Sequence, residues 1–532
     1  MNQIIIQVSK YIILILMAAY TFQCFAVFRF ANEYDRKGIY FRQIYFMVLI
    51  HFFGFLSLYS YYGELKYFRA YLIQQLGIIL VIALYKFIYP AANQLIINNM
   101  CMLLTIGFII LTRLSYAKAM KQFVIAIGSV AITMIVPFLI SRITFFEKFK
   151  WIYVGVGIGS LALVLMFSTV TYGSKLNITI ASYTFQPSEY VKIIFVFAIA
   201  SILAVSQNIK DVLISAVIAG IHILLLVASK DLGSAVIYFA VYLCMLFVAT
   251  RSYFYFIFGL LSGAAASVIG YKLFAHVRVR ILAFRDPLGT IDDAGYQIAQ
   301  SLFAIGTGGW LGMGISQGAP NTIPVVAADF VFAAICEEFG VVFGMLLILV
   351  CASNFIMFMN IAMRFKDRFY KLVAVGLSVS YGFQVFLTIG GVTKFIPLTG
   401  VTLPLVSYGG TSVAVTCCVF AVIQGMYISR DRDVKNRRSS SKVENRRINE
   451  FYEVPLDGTD DEVMDMAAND KKESLGNGLT SEIVVKIKRR KKNSDVSMDT
   501  MMMDKVLSKV VNDSMEMSIE PELESIDIND ID

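Results

Sequence analysis

The sequence predicts an all-α protein, a polytopic membrane helix bundle of about 13 spans with one long extracytoplasmic loop and a charged tail. Two compositional facts and one physical constraint carry that prediction. Hydrophobic residues make up 58% of the 532 residues, and the mean hydropathy of +0.69 is far above that of a soluble domain. Thirteen apolar runs reach or approach the ~20 residues that cross a bilayer. Hydrocarbon offers backbone N–H and C=O groups no partner, so each run must satisfy its own as a helix.

The runs fall at 4–28, 43–62, 71–90, 98–113, 122–141, 151–171, 187–205, 210–228, 232–249, 252–275, 330–359, 372–391 and 407–428. The first lacks a basic leader, is too long for an h-region and shows no small-residue cleavage pattern. It therefore reads as a retained span rather than a signal peptide.

Charge divides the chain near residue 430. Residues 1–429 carry 28 Lys+Arg and 14 Asp+Glu, whereas 430–532 carry 18 and 24. The tail is too polar to bury a core and is expected to be disordered. It opens with RDRDVKNRRSSSKVENRR against the last span, which places it in the cytoplasm by the positive-inside rule and suits it to anionic lipid. Nucleic-acid binding is the rival reading of that block, disfavoured because no aromatics interleave and the tail is net acidic. Counting back puts the basic loops at 29–42, 142–150 and 364–371 inside, and both the N-terminus and the 277–328 loop outside. Arg113, Lys118 and Lys121 are the exception, sent outside by the same count.

The seven cysteines all fall in apolar runs without metal-ligand spacing, and read as core filler. His51, His222 and His276 are far apart, suggesting neither a zinc site nor a Ser-His-Asp arrangement. The glycines of AIGTGGWLGMG lack Walker spacing, so a nucleotide loop is not indicated.

Chemistry collects at the outer ends of spans. Four strings fall there: FQPSEYVK (185–192), SKDLGSA (229–235), the long loop with RVRILAFRDP and GYQIAQSLFAIGTGGWLGMGISQG running into ADFVFAAICEEFG, and PLTGVTLPLVSYGGTSV (397–413). Polar, Gly-rich and Pro-rich backbone at one membrane depth predicts a site built from broken helices, and the last string predicts a re-entrant segment lining a cavity. Asp329 stands at the lip of an apolar run that also holds Glu337 and Glu338, and charge at such depth is costly enough to imply a use. Asp329 also suits the N-cap of a helix beginning at Phe330. Glu189 and Lys192, three apart on one helical face after Pro187, form either a mutually neutralising pair or a phosphate contact held in place.

Taken together and in this order, the strings resemble the shape, elongation, division and sporulation (SEDS) family, the relatives of FtsW, RodA and SpoVE, over roughly residues 95–430. The resemblance implies a ten-span core at 96–430, with 1–95 as extra N-terminal helices and 431–532 as an added tail. It implies a peptidoglycan glycosyltransferase that polymerises lipid II at the outer face. Asp329 matches the family's essential aspartate and would be the general base, taking a proton from the acceptor sugar's C4 hydroxyl as that oxygen displaces the donor's lipid diphosphate with inversion. Lys192 would face the diphosphate with Glu189 holding it. Read from the residues alone, Arg278, Arg280 and Arg285 at the opening of the long loop either clamp phosphates or anchor the chain at the interface. Asp231 of DLG would begin the following helix. Read from the residues, Ser407, Tyr408 and Thr411 offer hydroxyls along the re-entrant segment, and Gln297, Ser407 and Tyr408 complete the candidate substrate contacts. Glu337 and Glu338 cannot face one partner: one should meet a basic or hydroxyl group while the other borders the cavity.

No cofactor is required by these residues, and a divalent cation assisting the departing diphosphate stays open. By resemblance, a class B penicillin-binding protein would supply cross-linking, docking on the apolar surfaces of the later spans. The alternatives are a flippase of lipid-linked precursor and a non-catalytic scaffold. Crowding of the motifs on one face favours surface chemistry over transport. Two departures from the family pattern stand out: Asn177 where many relatives carry tryptophan, and Thr388 where they often have asparagine.

Overall fold

The computed structural model describes residues 2–30, 33–143, 145–167, 169–171, 174–180, 183–205 and 208–451. An N-terminal trio comprises α1 (Asn2–Arg29), α2 (Glu33–Tyr62) and α3 (Leu65–Ile88). Next come α4 (Gln94–Leu114), α5 (Tyr116–Thr133), α6 (Ile135–Arg142) and α7 (Lys150–Phe167), then three short strands, β1 (Thr169–Thr171), β2 (Ser174–Ile180) and β3 (Tyr183–Phe185). Helices α8 (Pro187–Val205), α9 (Ile209–Ala228), α10 (Leu232–Thr250), α11 (Tyr253–Leu273) and α12 (Ala275–Arg285) lead into the long loop. Within and after it stand α13 (Tyr296–Gly308), α14 (Val331–Phe339), α15 (Val341–Met363), α16 (Arg368–Val392) and α17 (Gly410–Phe451).

Thirteen helical spans among the described residues are long and apolar enough to cross a membrane. The helix starts follow capping chemistry: Asn93, Ser115, Asp231 and Asp367 each accept a backbone N–H of the first turn of α4, α5, α10 and α16. α4 is buried along nearly its whole length, so the other helices are built around it. It carries polar side chains at Asn98 and Asn99 that pair with neighbouring helices.

The apolar run at 330–359 is two helices rather than one. It breaks at Gly340, whose φ of +93° is a glycine conformation, and a Cβ there would lie 2.4 Å from the Trp310 carbonyl oxygen. The end of the 151–171 run is not helical either. β1 and β2 pair antiparallel with Thr169 opposite Asn177, and β2 continues to β3 with Ile178 opposite Phe185. The β-branched threonines and isoleucines of this stretch suit strands, and the small sheet adds to an otherwise helical bundle.

α1 begins beside the long loop, where Gln7 Nε2 donates to the Met313 carbonyl at 3.1 Å. The N-terminal end and the loop therefore share one face. α17 continues past its apolar part to Phe451, and the remainder of the tail, 452–532, lies outside the described residues.

Candidate active site

Segments far apart in sequence close around one cavity of about 660 Å³. The N-terminal approach to α8 brings Gln186, the α9–α10 turn brings Lys230 and Asp231, α12 and α13 bring Arg280 and Gln297, and the end of the long loop brings Asp329. The irregular chain between α16 and α17 supplies Thr399, Gly400 and Tyr408. The four strings singled out in the sequence thus converge, and the chain after α16 has the re-entrant, non-helical course that its prolines and glycines predict.

Asp329 is half-buried on the cavity wall. Among the described residues its carboxylate accepts no hydrogen bond, and α14 starts at Val331 with no side-chain cap. The capping role open to it in the sequence is therefore not one it plays. Burial raises its carboxyl from 3.8 to about 6, an effect opposed by the charge of Arg280. Gly400, with φ +73°, lies against it: a Cβ there would stand 3.8 Å from Asp329 Oδ2.

The facing charges are mostly cations. Arg280 donates to the Thr399 carbonyl at 3.2 Å, and burial lowers its pKa against the pull of Asp231 and Asp329. Burial, and then Arg280 and Lys230, hold His276 below its ordinary value, which places those two cations in one neighbourhood. Lys121, on α5, lines the cavity as well. Asp231 is already engaged: Oδ1 accepts Ser234 N–H at 3.1 Å, capping α10, and Oδ2 accepts the Ser188 hydroxyl at 2.8 Å.

Other sequence candidates stand off the cavity. Lys192 does not face it: the ammonium is buried in the bundle, 3.0 Å from Glu189 Oε2 and 2.8 Å from Gln384 Oε1. Gln384 in turn donates to the Thr402 carbonyl at 3.0 Å. Glu189 and Lys192 therefore brace the re-entrant segment from behind. Arg278 is exposed and donates to the Lys272 carbonyl, so only Arg280 of the proposed clamp reaches the site. Ser407 is turned onto backbone, donating to the Ala328 carbonyl and accepting from Leu403 N–H. Next to it, Tyr408 N–H donates to the Ala327 carbonyl at 2.7 Å. These bonds stitch the re-entrant segment to the chain just ahead of Asp329.

Neither of the paired glutamates borders this cavity, which corrects the expectation for one of them. Glu338 meets Arg113 at 2.7 Å, and Glu337 Oε1 accepts Ala319 N–H at 2.9 Å. Both fasten the turn at 316–319, because Ser316 N–H reaches Glu338 and Arg113 also donates to the Gly318 carbonyl. Each of the three basic residues that broke the charge rule has a place: Arg113 is paired, Lys118 lies over the Tyr408 ring at 5.8 Å from its centroid and Lys121 faces the cavity. That misfit was the one sequence signal that could have found Lys121. Thr388 donates to the Val401 carbonyl at 3.1 Å, so this departure still ties α16 to the re-entrant segment. Among the described residues no group of three or more His, Cys, Asp or Glu side chains is placed to hold a metal.

Residues 93–432 match the family described as Cell cycle protein, FtsW/RodA/SpoVE. The chain is 31% identical over 290 residues to the peptidoglycan glycosyltransferase RodA of Mycobacterium tuberculosis, covering 51% of this chain and 61% of that one. It thus spans about three fifths of that relative's length. It is 32% identical over 275 residues to stage V sporulation protein E of Bacillus subtilis, covering 49% of this chain and 74% of that one. A solved structure described as the structural coordination of polymerization and crosslinking by a peptidoglycan synthase complex shares the fold. Its TM-score is 0.54 at 23% identity, over 64% of this chain and 98% of that one. With the family match running from α4 through the apolar part of α17, the chain belongs to the FtsW/RodA/SpoVE family.

Proposed function

We propose that the chain is a peptidoglycan glycosyltransferase that polymerises lipid II, with Asp329 as general base. The observation that carries this reading is an aspartate without a hydrogen-bond partner among the described residues, its carboxyl raised to about 6, on the wall of a cavity whose other charges are mainly cationic. Such a carboxylate is ionised at neutral pH yet basic enough to take a hydroxyl proton in the transition state. The acceptor's C4 oxygen loses its proton to Asp329 and bonds to the donor's anomeric carbon, while the bond from that carbon to the lipid diphosphate breaks. Lys121, Lys230 and Arg280 are the cations placed to receive the diphosphate's charge. Lys192 and Glu189 position the re-entrant wall instead. The catalytic face is the outer one and the basic tail is cytoplasmic, in keeping with the RDRDVKNRR block beside the last span.

A second cavity, about 530 Å³ and almost wholly apolar, lies between α10, α15 and α16 around Phe355, Phe383 and Phe386. It suits the single membrane helix of a class B penicillin-binding protein, and the structural neighbour's coordination of polymerization with crosslinking is in keeping with such a partner.

The test is incubation of the purified protein with lipid II. Glycan strands from the wild type and a loss of about 10² to 10⁴ in rate for Asp329→Asn are expected. Translocation of lipid II across liposomes without strand formation would replace this reading with that of a flippase.

A further inference from the structure

The family match begins at residue 93, so α1–α3 lie ahead of it, yet α1 reaches into the loop that carries Asp329. Lys10, buried at 8% exposure, donates from Nζ to the Gly312 carbonyl at 3.0 Å. Gln7 Nε2 donates to the next carbonyl, Met313, at 3.1 Å, and a Cβ on Gly314 would meet Ile6 Cγ2 at 3.2 Å.

The stretch they hold is a backbone joint. Met313 and Gly314 N–H groups donate to the Glu337 and Glu338 carbonyls, and Val341 and Val342 N–H groups donate back to Gly309 and Trp310. A Cβ on Gly312 would lie 2.4 Å from the Glu338 carbonyl oxygen. The glycine-rich chain therefore lies directly on the end of α14, the half-helix whose other end follows Asp329. On the core side Arg113 and the paired glutamates fasten the adjoining turn. On the other side the contacts are those of α1.

α1 is itself pinned within the membrane. Tyr20 and Cys24 both donate to Asn99 Oδ1 on α4, at 2.9 and 3.2 Å, and Asn99 donates to Ser353 and Asn354 on α15. Polar contacts of this kind are satisfied in one register and left unpaired in others, so they fix where along the bundle α1 stands. A buried cation carried by a pinned helix can transmit that helix's position to the joint.

We infer that α1 is a built-in brace, with Lys10 as a positioning residue that sets α14 and, through it, Asp329. The catalytic consequence rests on the polymerase reading; the mechanical one does not. Small displacements of a catalytic group cost up to roughly 10²-fold in rate, so Lys10→Met should slow turnover roughly tenfold or more with KM little changed.

The experiment uses the full chain in detergent, comparing wild type, Lys10→Met, Lys10→Arg and the exposed Gln7→Ala, the last guarding against misfolding of a Lys10 variant. Amide hydrogen exchange over 309–314 and turnover of lipid II are measured together. Faster exchange confined to that joint, with slower turnover and recovery of both in Lys10→Arg, supports the brace. Unchanged exchange in both Lys10→Met and Gln7→Ala overturns it, and faster exchange with unchanged turnover overturns the positioning role. If the wild type makes no glycan, the polymerase reading falls while exchange still decides whether α1 braces the joint.

Discussion

Replacing Asp329 by asparagine should raise the stability of the folded protein at neutral pH while removing its activity. Burial moves this carboxyl from 3.8 to about 6, and each pH unit is worth about 1.4 kcal/mol. The ionised aspartate therefore disfavours the folded state by up to about 3 kcal/mol; its partial exposure trims this to roughly 1–3 kcal/mol. The sign follows from linkage: with the folded value above the unfolded one, stability from this group is complete below 3.8 and is lost as pH rises to about 6. Asparagine matches the size without the charge. Thermal unfolding of both forms in detergent at pH 7.5 and near pH 4 gives the comparison. The variant should melt higher at pH 7.5, with the gap closing near pH 4. A variant less stable at pH 7.5 would show that the carboxylate has a stabilising partner in the folded state, and the case for a free base would fail.

Removing Lys192 alone, as Lys192→Met, should strand Glu189 and cost about 3–5 kcal/mol, read as less protein in the membrane, whereas Glu189→Gln with Lys192→Met should recover the level. Restored glycan synthesis in that double variant would fit a bracing role, and continued loss with normal protein levels would return Lys192 to the substrate. Arg113→Ala should leave Glu338 unpaired and destabilise by about 3–5 kcal/mol, with Glu338→Gln milder; equal melting of wild type and Arg113→Ala would contradict the pairing. Gly400→Val should suffer from the +73° φ, costing about 1–2 kcal/mol in backbone strain, and its branched side chain would stand against Asp329. It should also lower turnover, and full activity would show that the wall is not tight there.

The bundle was legible because hydrophobic runs of spanning length leave the backbone no choice but helix. The site's membership was legible in part, because broken, polar segments at one depth must line something: Asp329, Arg280, Asp231, Gln297 and Tyr408 do share the cavity. Which way a charged side chain points was not legible. Lys192 sits three residues from Glu189 in any helix, but only the fold brings Gln384 from α16 to complete its shell. Likewise Arg113 pairs with Glu338 across 225 residues, and the break at Gly340 depends on the loop laid over it. Local spacing fixes neighbours on one element; contacts between distant elements decide whether a charge faces substrate or protein.

The most direct test of Asp329 as the base is the pH dependence of kcat/KM for lipid II, which reports the groups of the free protein. The account predicts a plateau above about pH 6 and a tenfold fall per pH unit below it, as the carboxylate takes up its proton. A rate that stays level from pH 5 to 8 would contradict it.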